Sequence, residues 1–138
     1  MKTVLIALIL LITLSGCVTY KAVTQSAIMG EVLKVSVGRV LEGNSHWVEP
    51  TYRFTQIAMD TLKGQSIVDF GVIDDVFLQV VEDYLIPEEQ DLALNIFTAI
   101  KEEVYRDLTR RGITEPASQK VYIMQVLTWV NTVAISRL

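Results

Sequence analysis

The most reactive side chain in this sequence is the thiol of Cys17, the single cysteine among 138 residues. It follows an apolar run over residues 4–14, with Lys2 in front of that run and the small residues Ser15 and Gly16 behind it. A positive start, a short apolar stretch and small residues before a cleavage site are typical of a secretory signal. The opening segment therefore predicts export of the chain.

Two alternative interpretations of this segment fit less well. At about 1.5 Å per helical residue the apolar run reaches roughly 16 Å, against about 30 Å for the hydrocarbon core, so it is too short for a permanent span. An ordinary signal peptidase requires small residues at the first and third positions before the cut, and Gly16 with Leu14 fits that poorly. The four residues Leu14-Ser15-Gly16-Cys17 instead resemble the lipobox of bacterial lipoproteins. The resemblance covers only the first seventeen or so residues.

The resemblance implies a defined set of modifications at Cys17. Its sulfur takes a diacylglycerol through a thioether, the signal peptide of residues 1–16 is removed, and the new amine of Cys17 is often acylated as well. Each buried methylene contributes roughly 0.8 kcal/mol, so two or three chains make the attachment effectively permanent. An aspartate after the lipidated cysteine favours the inner membrane of double-membraned bacteria. Val18 stands there, which indicates the periplasmic face of the outer membrane.

The mature chain is acidic and lacks thiol chemistry. Removal of Lys2 with the signal takes the formal net charge from −4 to −5, and Cys17 is consumed by the lipid. Scattered negative charge argues against nucleic acid as a partner and against an anionic lipid surface as a docking site. The expected partners are the membrane, through the N-terminal lipid, and an envelope protein or a second copy of the chain.

The sequence contains no recognisable catalytic or metal-binding constellation. His46 is the only histidine, and no activated nucleophile is identifiable for it, so it is predicted to be a surface loop residue. Adjacent acidic residues on a helix point about 100° apart, and the Glu-x-x-His pairs of di-iron bundles are absent. We therefore expect neither a metal nor a cofactor. The charged residues are predicted to form solvated helix faces, with Glu102–Arg106 and Asp107–Arg111 as surface pairs.

Apolar residues recur at spacings of three and four along most of the mature chain, which predicts an all-α fold. We expect a lipidated tether over 17–23 and a compact bundle of four to five helices over 24–138. The predicted helices run from about Thr24 to Leu41, from Pro50 to Lys63, from Ser66 to before Pro87, from Pro87 to Arg110, and from Pro116 to the end. In the third of these, Ser66 and Asp69 are assigned to a capping box, and residues 46–50 are predicted to be a linker.

Two tryptophans are candidate partner contacts. Trp47 is predicted to lie on an inter-helix loop, where it either covers the end of the core or is presented to a partner. Trp129 lies on the fifth helix, which is apolar nearly all round and is therefore expected to be central or covered by a partner.

Three functional hypotheses follow. The first is a non-enzymatic interaction or structural module, tethered by lipid, with a prophage-encoded envelope lipoprotein as one variant. The second is a binding module that holds a small apolar ligand between helices. The third is a cell-wall or lipid enzyme, which the missing catalytic constellation disfavours.

Overall fold

The computed structural model describes residues 22–138, with side chains from Met29 onward. Nearly all of this part of the chain is helical and no strand occurs in it, which confirms the all-α bundle. The signal peptide, the lipobox residues Leu14, Ser15, Gly16 and Cys17, and the first part of the tether lie outside the described residues. A short 3-10 helix covers Ser45–Trp47, and the five α-helices are α1 (Ala22–Gly43), α2 (Val48–Lys63), α3 (Phe70–Tyr84), α4 (Pro87–Arg110) and α5 (Pro116–Arg137).

Proline and glycine set most of the helix ends where the sequence predicts them. Pro87 and Pro116 each lie in the first turn of a helix, where the missing N–H has no intrahelical partner to lose. Gly112 follows α4 with a φ of 64°, a left-handed conformation that glycine adopts without steric cost. Gly64 caps α2. These prolines and glycines set where the helices begin and end.

Three predicted boundaries need correction. The first helix begins at Ala22, two residues before the predicted Thr24. The third begins at Phe70 and not at Ser66, because the Asp69 carboxylate caps it alone, accepting a 2.9 Å hydrogen bond from the Gly71 N–H. The predicted linker over 46–50 is also wrong, since it is divided between the 3-10 helix and the first turn of α2.

Side-chain contacts define the directions of the helices. A Cβ at Gly30 would lie 2.8 Å from Trp129 Cε2, and one at Gly38 would lie 3.0 Å from Arg137 Nη2, so α1 and α5 run the same way in close contact. The α2 helix runs opposite to α5, because Thr55 bonds to Asn131 while Lys120 reaches the Lys63 carbonyl.

The remaining helices complete the bundle. The α3 and α4 helices are antiparallel, since Phe70 packs on Tyr105 and Asp74 pairs with Lys101. We call the end at which α1 and α5 both begin the N-terminal end of the bundle, and the opposite end the far end. The backbone of α5 lies close to α2 and α1, and seven of its residues are buried. One side of α5 still faces solvent, with Val121 and Ile135 69% and 51% exposed, so the helix is not enclosed on all sides as its apolar sequence predicts.

Candidate functional site

An apolar cavity of about 160 Å³ lies between the helices. All five helices contribute to its wall, so it occupies the centre of the bundle. A cavity of about 150 Å³ lined by aliphatic and aromatic side chains stays dry and takes up benzene in a well-studied case. The principal lining residues are Val37, Val40, Leu41, Trp47, Phe54, Ile73, Phe77, Val80, Val81, Leu85, Ala93, Ile96, Phe97, Ile100, Val104, Ile123, Val126, Leu127 and Val130.

Three phenylalanines form an aromatic wall of the cavity. Phe77 on α3 and Phe97 on α4 are stacked, with ring centroids 4.0 Å apart. Phe54 on α2 meets both rings edge-on, at 5.2 Å from Phe77 and 5.8 Å from Phe97. Edge-to-face pairs contribute about 0.5–1.5 kcal/mol beyond their buried area, so this wall joins three helices firmly.

The charged residues in the lining are Asp74 and Lys101, which form an ion pair. Lys101 Nζ lies 3.1 Å from Asp74 Oδ2 and 5.6 Å from the centre of the Phe97 ring. Both side chains are partly exposed, so the lining meets solvent where this pair lies, between α3 and α4. A bound molecule would therefore place its apolar body among the aromatic rings and any polar group near this pair.

A cluster of three side chains closes the wall at the far end of the bundle. Trp47 is buried, and its indole Nε1 donates a 2.7 Å hydrogen bond to Glu89 Oε2, in the first turn of α4. His46 Nε2 lies 2.7 Å from the same oxygen. These bonds from Trp47 and His46 hold the pKa of Glu89 below its ordinary value of 4.5.

Replacing Glu89 with glutamine is expected to lower the free energy of unfolding near neutral pH, by an amount that shrinks in acid. Because the folded-state pKa lies below the ordinary value, the contribution of this carboxylate is present above pH 4.5 and is lost as pH falls through the folded-state pKa. Urea unfolding of the wild type and Glu89→Gln from neutral to acidic pH measures the difference. Glu88→Gln, at the exposed neighbouring position, is expected to follow the wild type. If the difference in free energy of unfolding between the wild type and Glu89→Gln stays constant as the pH falls, the proposed role of the Glu89 carboxylate is contradicted.

Neither predicted tryptophan contact is presented on the surface as a free aromatic ring. Trp47 covers the end of the core, the first of the two alternatives for it. Trp129 is half-buried, and its indole packs over Gly30, where the missing side chain admits the ring. His46 lies on the surface as predicted, but its ring is hydrogen-bonded to Glu89.

The acidic residues of α4 differ from the predicted solvated faces. Glu103 and Asp107 are each only 2% exposed. Glu103, and not Glu102, pairs with Arg106, and it also pairs with Arg110, at 3.2 Å in both cases. The Asp107–Arg111 pair exists, at 2.9 Å, but its carboxylate is buried.

Asp107 also joins α4 to α5. It accepts a hydrogen bond from the hydroxyl of Tyr122, and burial together with this bond raises the pKa of Tyr122. Glu103 and Asp107 lie three and seven positions beyond Ile100, on the inward face of α4 that carries Ile96. This helical spacing is the sequence feature from which the burial of both carboxylates could be predicted.

Within residues 22–138, no group of three or more histidine, cysteine or carboxylate side chains is arranged to hold a metal ion. Over the same residues, no helix has the length and apolarity needed to cross a membrane. Comparison of the chain with protein-family models, curated proteins and solved structures gave no match.

Proposed function

We propose that this chain is a lipoprotein of the bacterial cell envelope whose helical domain binds a small apolar ligand and performs no catalysis. The anchor is the lipid on Cys17, which the sequence Leu14-Ser15-Gly16-Cys17 supports. In a bacterium with two membranes, Val18 favours the periplasmic face of the outer membrane. The cavity between the helices supports the binding function.

The lining sets the class of ligand. An apolar space of about 160 Å³, open to solvent beside the Asp74–Lys101 pair, fits a molecule near the size of benzene, or a short segment of an alkyl chain. Burial of roughly 150 Å² of ligand surface, at about 25 cal/mol per Å², yields at most about 4 kcal/mol before the entropic cost of association, so the Kd is no tighter than about 1 mM. A larger ligand that also reaches the Asp74–Lys101 pair gains further contacts.

Filling the cavity tests this function. Ala93 is buried and lines the cavity, so Ala93→Leu is expected to occupy part of the space and to abolish binding of benzene. Titration of the probe, followed by changes in methyl NMR signals of the lining residues, measures binding to the wild type and the variant. Ala117→Leu makes the same change at an exposed position of α5 and is expected to bind as the wild type does.

Two results would overturn the binding function. One is a wild-type protein whose lining signals do not respond to benzene. The other is a folded Ala93→Leu variant that binds the probe as tightly as Ala117→Leu does. Thermal unfolding of each variant establishes that it is folded.

The second candidate is the interaction or structural module that the sequence favours. The observation in its support is the far end of the bundle, where Tyr84 and Ile86 are 46% and 58% exposed among acidic residues. A photocrosslinking residue at position 86 in intact cells is expected to capture an envelope protein or a second copy of the chain. Capture at the same level from an exposed mid-helix position such as Ile57 would argue against a specific partner there.

A further inference from the structure

The direction of α1 places the start of the described chain at one defined end of the bundle. Because α1 and α5 run the same way, with Gly30 opposite Trp129, Ala22 lies at the level of the first turns of α5. Cys17 precedes Ala22 by only five positions. Five residues span at most about 18 Å, so a lipid on Cys17 holds the N-terminal end of the bundle close to the membrane surface.

Two of the most exposed large apolar side chains lie at this same end. Ile67, in the loop between α2 and α3, is 65% exposed, and Val121, near the start of α5, is 69% exposed. Lys120 joins their two elements, because its Nζ donates a 2.7 Å hydrogen bond to the Gln65 carbonyl. The far end also carries exposed apolar side chains, among them Ile86 and Leu138, so the position of the lipid anchor is what distinguishes the two ends. Exposed aliphatic residues beside a lipid anchor are placed to enter the headgroup region.

Charge is distributed unequally between the two ends. At the N-terminal end, cations and carboxylates are balanced, with Lys63, Arg106, Arg110, Arg111 and Lys120 against Asp60, Asp69, Glu103, Asp107 and Glu115. At the far end, carboxylates outnumber cations, with Glu42, Glu49, Glu82, Asp83, Glu88, Glu89 and Asp91 against Arg39, Arg53 and Arg137. An anionic lipid surface repels an acidic end and accepts a balanced one that carries lysine and arginine.

We propose that the N-terminal end of the bundle rests on the lipid surface, with Ile67 and Val121 in the headgroup region and the acidic far end directed away from the membrane. This orientation rests on the proposed lipid anchor at Cys17. In this orientation the folded domain contacts the membrane directly, in addition to being held there by the acyl chains.

Spin labels on the lipidated mature protein test this orientation. The protein is reconstituted in vesicles of phosphatidylethanolamine and phosphatidylglycerol, with Ile67→Cys, Val121→Cys or the matched far-end control Ile86→Cys. Once Cys17 carries its thioether, the introduced cysteine is the only thiol and takes the nitroxide alone. We expect the labels at 67 and 121 to collide several-fold more with oxygen, relative to a water-soluble nickel chelate, than the label at 86. Equal collision ratios at all three positions would overturn the orientation.

The protein without an introduced cysteine separates failure of the orientation from failure of the anchor. If Cys17 takes the nitroxide and the protein does not float with the vesicles, the anchor is absent and both proposals fail. If the protein floats and takes no label at Cys17, while position 67 is as accessible to water as position 86, only the orientation fails.

Discussion

Replacing Cys17 with serine is expected to abolish both cleavage of the precursor and retention of the mature protein by lipid. Serine has no thiol to form the thioether, and the lipobox resemblance implies that lipidation precedes removal of residues 1–16. The effect is large because the acyl chains supply nearly all of the membrane affinity, at roughly 0.8 kcal/mol per buried methylene. Cell fractionation and the electrophoretic mobility of the precursor measure the two effects.

A substitution just beyond the lipobox provides the control for Cys17→Ser. Thr19→Ala changes a residue two positions later and is expected to leave processing and membrane association unchanged. A Cys17→Ser protein that is cut and fractionates like the wild type would contradict the proposed anchor.

Replacing Glu103 with alanine is expected to lower the free energy of unfolding by about 2 to 4 kcal/mol. The carboxylate is only 2% exposed and pairs with Arg106 and Arg110 at 3.2 Å, so its removal leaves guanidinium groups beside a buried cavity. Arg106 and Arg110 retain some contact with water, which keeps the loss below that of a fully buried pair. Since domains are stable by only about 5–15 kcal/mol, this change removes a large part of the total.

The adjacent glutamate is a matched control for Glu103. Glu102 is exposed, and Glu102→Ala is expected to change the free energy of unfolding by less than about 0.5 kcal/mol. Urea unfolding of both variants measures the contrast. An equal loss of unfolding free energy in the two variants would show that α4 is rotated about its axis, so that Glu103 is not buried.

The helices themselves follow from local patterns in the sequence. Pro87 and Pro116 begin helices, and Gly64 and Gly112 follow helix ends. Of the apolar stripe predicted on α2, Phe54, Ala58 and Leu62 face the core, whereas Ile57 is 47% exposed. The predicted start of α3 was wrong because Ser66 and Asp69 are both residue types that cap helix N-termini, and only the backbone geometry distinguishes them. Local signals thus determine which elements form, and tertiary contacts adjust their ends.

The cavity depends on the distances between helices, and these distances cannot be predicted from the pattern of a single sequence. The stripes that contain Phe77 and Phe97 would look the same in a fully packed core and in one that leaves a cavity. The contacts of Glu89 could not be predicted from local patterns, because its partners Trp47 and His46 lie more than forty positions away in the sequence. The burial of Glu103 could be predicted from the helical periodicity of α4, since Glu103 lies on the same face as Ile96.

The central claim is that the cavity holds a small apolar ligand, and titration with benzene at millimolar concentrations tests it most directly, because a ligand confined to the cavity binds only weakly. We predict saturable shifts of the methyl NMR signals of the lining residues Ile73 and Val126 in the wild type and in Ala117→Leu, and no such shifts in Ala93→Leu. A wild-type protein whose lining signals do not respond to benzene would contradict the claim.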